Sequence, residues 1–466
     1  MELNLNKDLD TPLIKQIFEQ LKSRILDGSL KGGFKLPSTR SLSAELKVSR
    51  NVVLEAYDQL FAEGFVESKT GDGTYVIKGA LFQKGSLPDI SEIKSLGFKP
   101  FSDEIIDFRS GLPDLSCFPV NKWLQLTRDV YHSASPATFA YNQPQGTIEL
   151  REAIAEYTRA YRGVKCHPEQ ILITGGTTQA IGIVSRQLLQ GKNREVFLED
   201  PITIDIQKII RTAGGNLHPI AVDDEGIKTD ELKNKPVPAF IYVTPSHHYP
   251  LGVTMSIKRR IDLIAYAREN GNYLIEDDYD SEFRYDVQPV PSLQGLDPSR
   301  VIYLGTFSKT LCPALRIGYI IFPPELISKG REQKWFADLH NAVMDQLVLA
   351  EFIKGGHFNR SVAKMKKRHK SRRDFIISKL NDLFGDDIEI PGSAVGLHIA
   401  VRFKGIIFNK DLLDNLEAKG VRLYSVEEHA MIKGKYRDTV IMGFGFISRE
   451  KIERGLLILK EILIDE

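Results

Sequence analysis

The chain is poor in cysteine, with three in 466 residues, and Cys117, Cys166 and Cys312 stand far apart. An odd, scattered set excludes a disulfide framework and points to a reducing compartment. Net charge is almost absent: 62 basic against 61 acidic residues leave +1. No overall field therefore marks a nucleic-acid or membrane partner. No apolar run approaches the ~20 residues of a membrane span. The opening "MELNLNKDLD" is too polar for a signal peptide. Repeats and low-complexity tracts are lacking. A soluble cytoplasmic protein is expected. What is present is an apolar share of 42%, enough for a large core, and a length that calls for two or three domains.

The first segment reads as three helices and a hairpin. In "PLIKQIFEQLKSRIL" the positions Leu13, Ile14, Ile17, Leu21 and Ile25 share one helical face. Gly28, Gly32 and Gly33 then break the pattern. "STRSLSAEL" starts a second helix with Ser38 or Thr39 as N-cap, and "RNVVLEAYDQLFAEG" a third, with Ser49 as N-cap and Gly64 at its end. "FVESKTGDGTYVI" predicts two short strands around a Gly-Asp-Gly turn. The set predicts a winged helix-turn-helix over 1–78; an unrelated small helical domain is the alternative. Lys31, Lys35, Arg40, Lys47 and Arg50 form a local basic patch, so DNA binding would lean on dimeric avidity.

Residues 79–105 are weakly periodic and predict a linker. From 106 to 466, apolar runs alternate with helical stretches: "ILIT", "EVFLE", "AFIYVT", "YLIED", "VIYLG", "IGYIIF". This predicts an α/β domain with a mostly parallel sheet, followed by a smaller α+β subdomain with "LHIAVRF" and "TVIMGFG" as strands.

In an open α/β sheet, ligands sit beyond the carboxyl ends of the strands. "ILIT" leads into Gly175-Gly176 and a helix N-terminus at Thr177 and Thr178, an anion site suited to phosphate. "YLIEDDYD" delivers Asp277 and Tyr279. "VIYLGTFSK" delivers Thr306, Ser308 and Lys309, with Arg316 just beyond. Taken singly, the lysine could be a solvated charge, the glycines a turn, and "EDDYD" an acidic loop or divalent-metal site. Jointly they suit pyridoxal phosphate. The lysine would bind its aldehyde as an imine, the aspartate would keep the ring nitrogen protonated, and the arginine and helix N-terminus would take the phosphate. Burial and Arg316 would both depress the lysine pKa.

"SKTLCPALRIGY" and "YNQPQGTIELREAIAEY" resemble signature segments of fold-type I, class I aminotransferases. "LPSTRSLSAELKVSRNVVLEAYDQLFAEGFVES" resembles GntR-family winged helices. With "TPSHHYPLGVTM" and "IEDDYDSEFRY", the fusion resembles the MocR/GabR subfamily of transcription regulators. The resemblance implies that Lys309 carries pyridoxal phosphate, that Asp277 pairs with the ring nitrogen and Tyr279 with the ring hydroxyl. Thr177, Thr178, Thr306 and Arg316 would hold the phosphate, with Tyr141 reaching the site of a partner in a head-to-tail homodimer. It also implies contact with a double-stranded DNA operator through Arg40, Ser49, Arg50, Asn51 and the wing-tip Gly73.

The chain departs from the pattern in places. Tyr249 stands before "PLG" where class I aminotransferases usually carry Asn, and Ile202 and Thr203 follow the proline where relatives often have Gly-Tyr. Arg402 and Arg437 are the candidates for a carboxylate clamp, and Glu427 and Glu428 occupy a region where some relatives place arginine. The expected effector is therefore an amine or amino acid, or the cofactor itself, and a catalytically active aminotransferase with a DNA-binding head is the alternative function. No metal is expected at His247-His248, because no Cys or carboxylate stands at ligand spacing. The run "KMKKRHKSRR" reads as a solvated helix face, or as a second DNA contact.

Overall fold

The computed structural model describes residues 3–78, 104–288 and 290–464. The chain divides into two compact units, Met1–Pro100 and Phe101–Glu466. The expected linker lies outside the described residues except for 104 and 105.

The first unit packs α1 (Leu13–Leu26), α2 (Thr39–Leu46) and α3 (Arg50–Ala62) against a hairpin of β1 (Val66–Lys69) and β2 (Gly73–Val76). The helical stripe of α1 delivers Ile17, Leu21 and Ile25 to a core shared with Leu42, Val53, Leu60, Val66 and Val76. Ser38 caps α2, its hydroxyl accepting from the Ser41 amide at 3.1 Å. Ser49 occupies the N-cap of α3 with extended backbone but no side-chain hydrogen bond. Gly64 follows the C-cap Glu63 and takes φ +76°. The hairpin loop is residues 70–72, since Lys69 pairs with Gly73; Gly73 belongs to the second strand, not to the turn.

The second unit is built on an eight-stranded sheet. Its strands are β3 (Ile171–Thr174), β4 (Glu195–Asp200), β5 (Asn216–Asp223), β6 (Gly226–Ile227), β7 (Phe240–Val243), β8 (Tyr273–Asp278), β9 (Val301–Thr306) and β10 (Gly318–Ile321). The order is β3-β10-β9-β8-β7-β4-β5-β6. The five strands β9, β8, β7, β4 and β5 run parallel, while β10 is antiparallel to both its neighbours. Both faces are covered, which explains the unbroken apolar runs. Ile171 and Ile173 of β3 enter one core with Tyr303 and Ile321, and Leu172 enters the opposite one with Ile302 and Ile320. The sequence pattern does not announce β5: Pro219 and His218 interrupt its apolar alternation.

The subdomain carries a four-stranded antiparallel sheet ordered Ile388–Glu389, His398–Phe403, Thr439–Gly443, Tyr424–Ser425. The basic run lies on the helix His357–Phe384. It is solvated only in part: Lys364, Lys367 and Arg368 are exposed, while other members of the run turn inward. Arg368 and Arg372 both pair with the buried Asp114, at 3.1 and 3.0 Å, and Lys370 pairs with Asp286 at 2.9 Å. His369 and Arg373 are buried. Much of the positive charge is thus engaged within the fold. Among the described residues, no helix is long and apolar enough to cross a membrane.

Candidate functional site

Strand register assembles the site. Leu304 of β9 lies opposite Asp277 of β8, so the chain reaches Lys309 five residues beyond the level of that aspartate. Thr306, Gly318 and Thr174 form one row across β9, β10 and β3. That row brings the Lys309 loop, Arg316 and the start of the helix α4 (Thr177–Leu188) to one point. A Cβ on Gly318 would lie 2.9 Å from Gly176 Cα, so the close approach of these two segments needs glycine. Gly176 caps α4 at φ +111° without a side-chain hydrogen bond, leaving the first amides of the helix to a ligand. A Cβ there would meet the Arg316 guanidinium at 2.8 Å. Arg316 itself is left-handed at φ +51°.

A cavity of roughly 300 Å³ is lined by Thr177, Thr178, Asp277, Tyr279, Thr306, Ser308, Lys309 and Arg316, among others. All the residues assigned to the cofactor meet there except Tyr141. Tyr141 is elsewhere: its side chain is 87% exposed and its ring lies 6.3 Å from that of His340.

The charges are tuned by burial. Lys309 has its pKa lowered, first by desolvation and further by Arg316, against the opposing pull of Asp280 and Asp277. Burial pushes Asp277 up to about 7. The Tyr242 hydroxyl donates to its Oδ2, while Oδ1 is buried with no hydrogen-bond partner among the described residues. Neighbouring Asp278 does a different job. It receives Arg162 and the Tyr303 hydroxyl, each at 2.6 Å, and so anchors β8 to its surroundings.

Tyr279 donates to the His247 carbonyl at 2.9 Å. The His247 Nδ1 lies 2.9 Å from Asp280. Sequence spacing offers His247 no carboxylate neighbour, yet the fold brings Asp280 and His398 to it: ligand atoms of the three buried residues lie within 4.8 Å of one another. His247 Nδ1 faces Asp280 and His398 Nε2 lies 3.1 Å from the Pro250 carbonyl, while His247 Nε2 is buried with no hydrogen-bond partner among the described residues. Tyr249 takes the place expected of asparagine. Its hydroxyl is 3.2 Å from Ser110 Oγ and 3.4 Å from His429 Nε2. Ile202 and Thr203 line the cavity where relatives often carry Gly-Tyr.

Neither arginine candidate for a carboxylate clamp lies there. Arg402 is ion-paired to Asp438 at 2.7 Å and Glu389 at 3.3 Å on the exposed side of its strand, and Arg437 is also exposed. Ser110, Asp205, Tyr242 and His398 line the cavity but escape sequence reasoning. They come from four separate segments, and no local motif announces them.

In the first unit, Arg40, Ser49, Arg50, Asn51 and Gly73 are all exposed. The Arg50 Nε donates to Thr39 Oγ1 at 3.3 Å, which ties the start of α3 to the start of α2. Lys35 bridges to Asp72 at 2.7 Å beside the wing.

Two family models match this chain. Bacterial regulatory proteins of the gntR family match residues 13–76, and aminotransferase class I and II matches residues 103–421. The HTH-type transcriptional regulator YdeL of Bacillus subtilis is 37% identical over 98% of this chain and 98% of its own. The probable rhizopine catabolism regulatory protein MocR of Rhizobium meliloti is 32% identical, covering 97% and 94%. Among solved structures, a Pyrococcus horikoshii kynurenine aminotransferase in complex with PMP is similar with a TM-score of 0.72 and 26% identity, over 81% of this chain and 98% of that one. A gntR-type head, a class I and II aminotransferase body and full-length likeness to such regulators place the chain in the MocR-type family of DNA-binding transcription regulators.

Proposed function

We propose that this regulator binds pyridoxal phosphate through Lys309 and senses an amine in the same cavity. The observation that carries the reading is the orphaned Asp277 Oδ1, buried on the strand next to the one that leads to Lys309. A protonated ring nitrogen is the partner that such an oxygen lacks. When bound, the cofactor supplies an aldehyde that condenses with a primary amine and a ring that withdraws electrons. The protein's own groups do the rest. Gly176, Thr177, Thr178, Thr306 and Arg316 supply the phosphate cradle, and Tyr279 is placed for the ring hydroxyl. Tyr249 and His398 fill the space beside it. Burial keeps the Lys309 amine ready to lose its proton and attack a carbonyl.

The regulatory reading is favoured over turnover because Arg316 is the sole arginine among the described residues lining the cavity. An effector would shift the balance between two arrangements of the molecule by binding one of them better. A head-to-tail homodimer, with Tyr141 reaching the partner's site, is supported by apolar exposure along 120–141. Val120, Leu124, Tyr131 and Phe139 are all more than half exposed. Two heads would then read paired half-sites of an operator.

Borohydride reduction of the cofactor-incubated protein, followed by peptide mass mapping, tests the reading. The adduct is expected on Lys309 and absent from Lys309→Ala. A label elsewhere, or none, overturns it. A steady-state transamination assay separates sensor from enzyme: sustained turnover at ordinary enzyme rates would favour the catalytic alternative.

A further inference from the structure

Beyond the groups assigned to the cofactor, the cavity is lined by Ser110, Ile202, Thr203, Asp205, Tyr249 and His398. Asp205 lies in the first turn of the helix α5 (Ile204–Thr212). It is exposed and makes no hydrogen bond or ion pair among the described residues. Its charge reaches the Tyr249 hydroxyl and the His429 imidazole, which lie 3.4 Å apart. The cations lining the cavity are Lys309 and Arg316, and both are assigned to the cofactor.

This part of the cavity is therefore electrostatically wrong for an amino acid. A carboxylate placed near Asp205 would meet a like charge. Among the described residues, no lysine or arginine beyond the two assigned to the cofactor lines the cavity to offset it, Lys433 acting only from behind His429. Such repulsion acts at a few ångströms and weakens with solvent screening. A cation in the same position gains by a similar amount. Tyr249 and Ser110 add hydroxyls that can accept from an ammonium.

We propose that the effector is a primary amine whose far end carries a second cation, a short diamine, with Asp205 as the group that recognises that end. This rests on the cofactor reading above and deepens it. One amine is captured at the cofactor, and the other is held by the Asp205 carboxylate at the cavity wall. Asp205 is in this sense a specificity determinant. The same side chain rejects γ-amino and α-amino acids.

A matched series of four-carbon amines tests the idea: 1,4-diaminobutane, 4-aminobutanoate and butylamine differ only in the far group. Each is titrated into the full-length, cofactor-loaded protein, with binding read from the cofactor absorbance and from the anisotropy of operator DNA. The diamine is expected to bind roughly tenfold or more tighter than 4-aminobutanoate, with butylamine between them. In Asp205→Asn the three affinities should converge, and in Asp205→Arg their order should invert. The ratio of affinities is the readout, because partial loss of cofactor leaves it unchanged. The diamine preference should also fall as salt is raised, since Asp205 is exposed. The inference is overturned if 4-aminobutanoate or butylamine binds the unaltered protein as tightly as the diamine. It is also overturned if Asp205→Asn keeps the ratio. Should a variant fail to fold, the series on the unaltered protein decides alone. Failure of the underlying cofactor reading shows separately, as a missing borohydride adduct on Lys309, and removes this inference with it. An intact adduct with three equal affinities removes this inference only.

Discussion

The hydroxyl of Tyr242 donates to one carboxylate oxygen of Asp277 and leaves the other buried without a partner among the described residues. Half of the carboxylate is thus braced by the protein, and half is buried without a partner in a residue that lines the cavity.

Loss of the charge on that unpartnered oxygen is expected to weaken cofactor binding. Asp277→Asn keeps the shape and removes the charge. A charge-assisted hydrogen bond contributes about 1.5–3 kcal/mol, so cofactor affinity should fall about 10- to 100-fold. Absorbance titration of the cofactor measures this. An unchanged affinity would detach Asp277 from the ring nitrogen.

The same substitution has a pH signature in the protein without cofactor. Burial raises the Asp277 pKa from 3.8 to about 7. A raised carboxyl favours folding fully below its unfolded pKa, and that contribution is lost as pH rises through about 7. Asp277→Asn escapes this loss. Its stability relative to the unaltered protein should improve between pH 5 and pH 8, by up to about 3 kcal/mol. Thermal unfolding at the two pH values reads the difference, and a constant gap would refute the burial argument.

Arg162 and Asp278 form an ion pair with side chains 3% and 2% exposed. Arg162→Ala leaves Asp278 charged, buried and short of its main partner. A loss of about 3–5 kcal/mol is expected, seen as a clear drop in the unfolding midpoint of the second unit. Arg402→Ala, on an exposed network, should cost less than about 1 kcal/mol.

Arg50 is exposed at the start of α3 and hydrogen-bonded to Thr39. Arg50→Ala should weaken operator binding by about 1–3 kcal/mol. It should also flatten the dependence on salt, by roughly one in slope for each phosphate that the guanidinium neutralises. Anisotropy titrations at several salt concentrations check both. Ser38→Ala, by contrast, removes an N-cap and should lower the stability of the head by about 1 kcal/mol.

Leu124 is 61% exposed on the helix Val120–Ser133. If this face joins two chains, Leu124→Asp should shift the protein to monomer in sedimentation. Tyr141→Phe should weaken cofactor binding in the dimer without dissociating it. A monomeric unaltered protein would overturn the shared-site reading.

Much of this was legible in the chain because the signals are local. Helix caps, the hairpin glycines and the strand-ending residues each act within a few positions, and the structure brings Lys309, Asp277, Thr177 and Arg316 together. The strand β5 was hidden because a proline and a polar face break its alternation. The basic run on His357–Phe384 looked solvated because Asp114, its buried partner, is some 250 residues away in the chain.

Sequence periodicity determined most of the elements and their order, β5 excepted, since helices and strands repeat every 3.6 or two residues, and the residues that follow each apolar run marked the strand ends. Only the tertiary structure decided which distant side chains share a cavity. The placing of Asp205 in its wall, Tyr242 against Asp277, and Asp280 and His398 around His247 follows from strand register and loop return. Those neighbours come from segments far apart in the chain, where no local pattern constrains them.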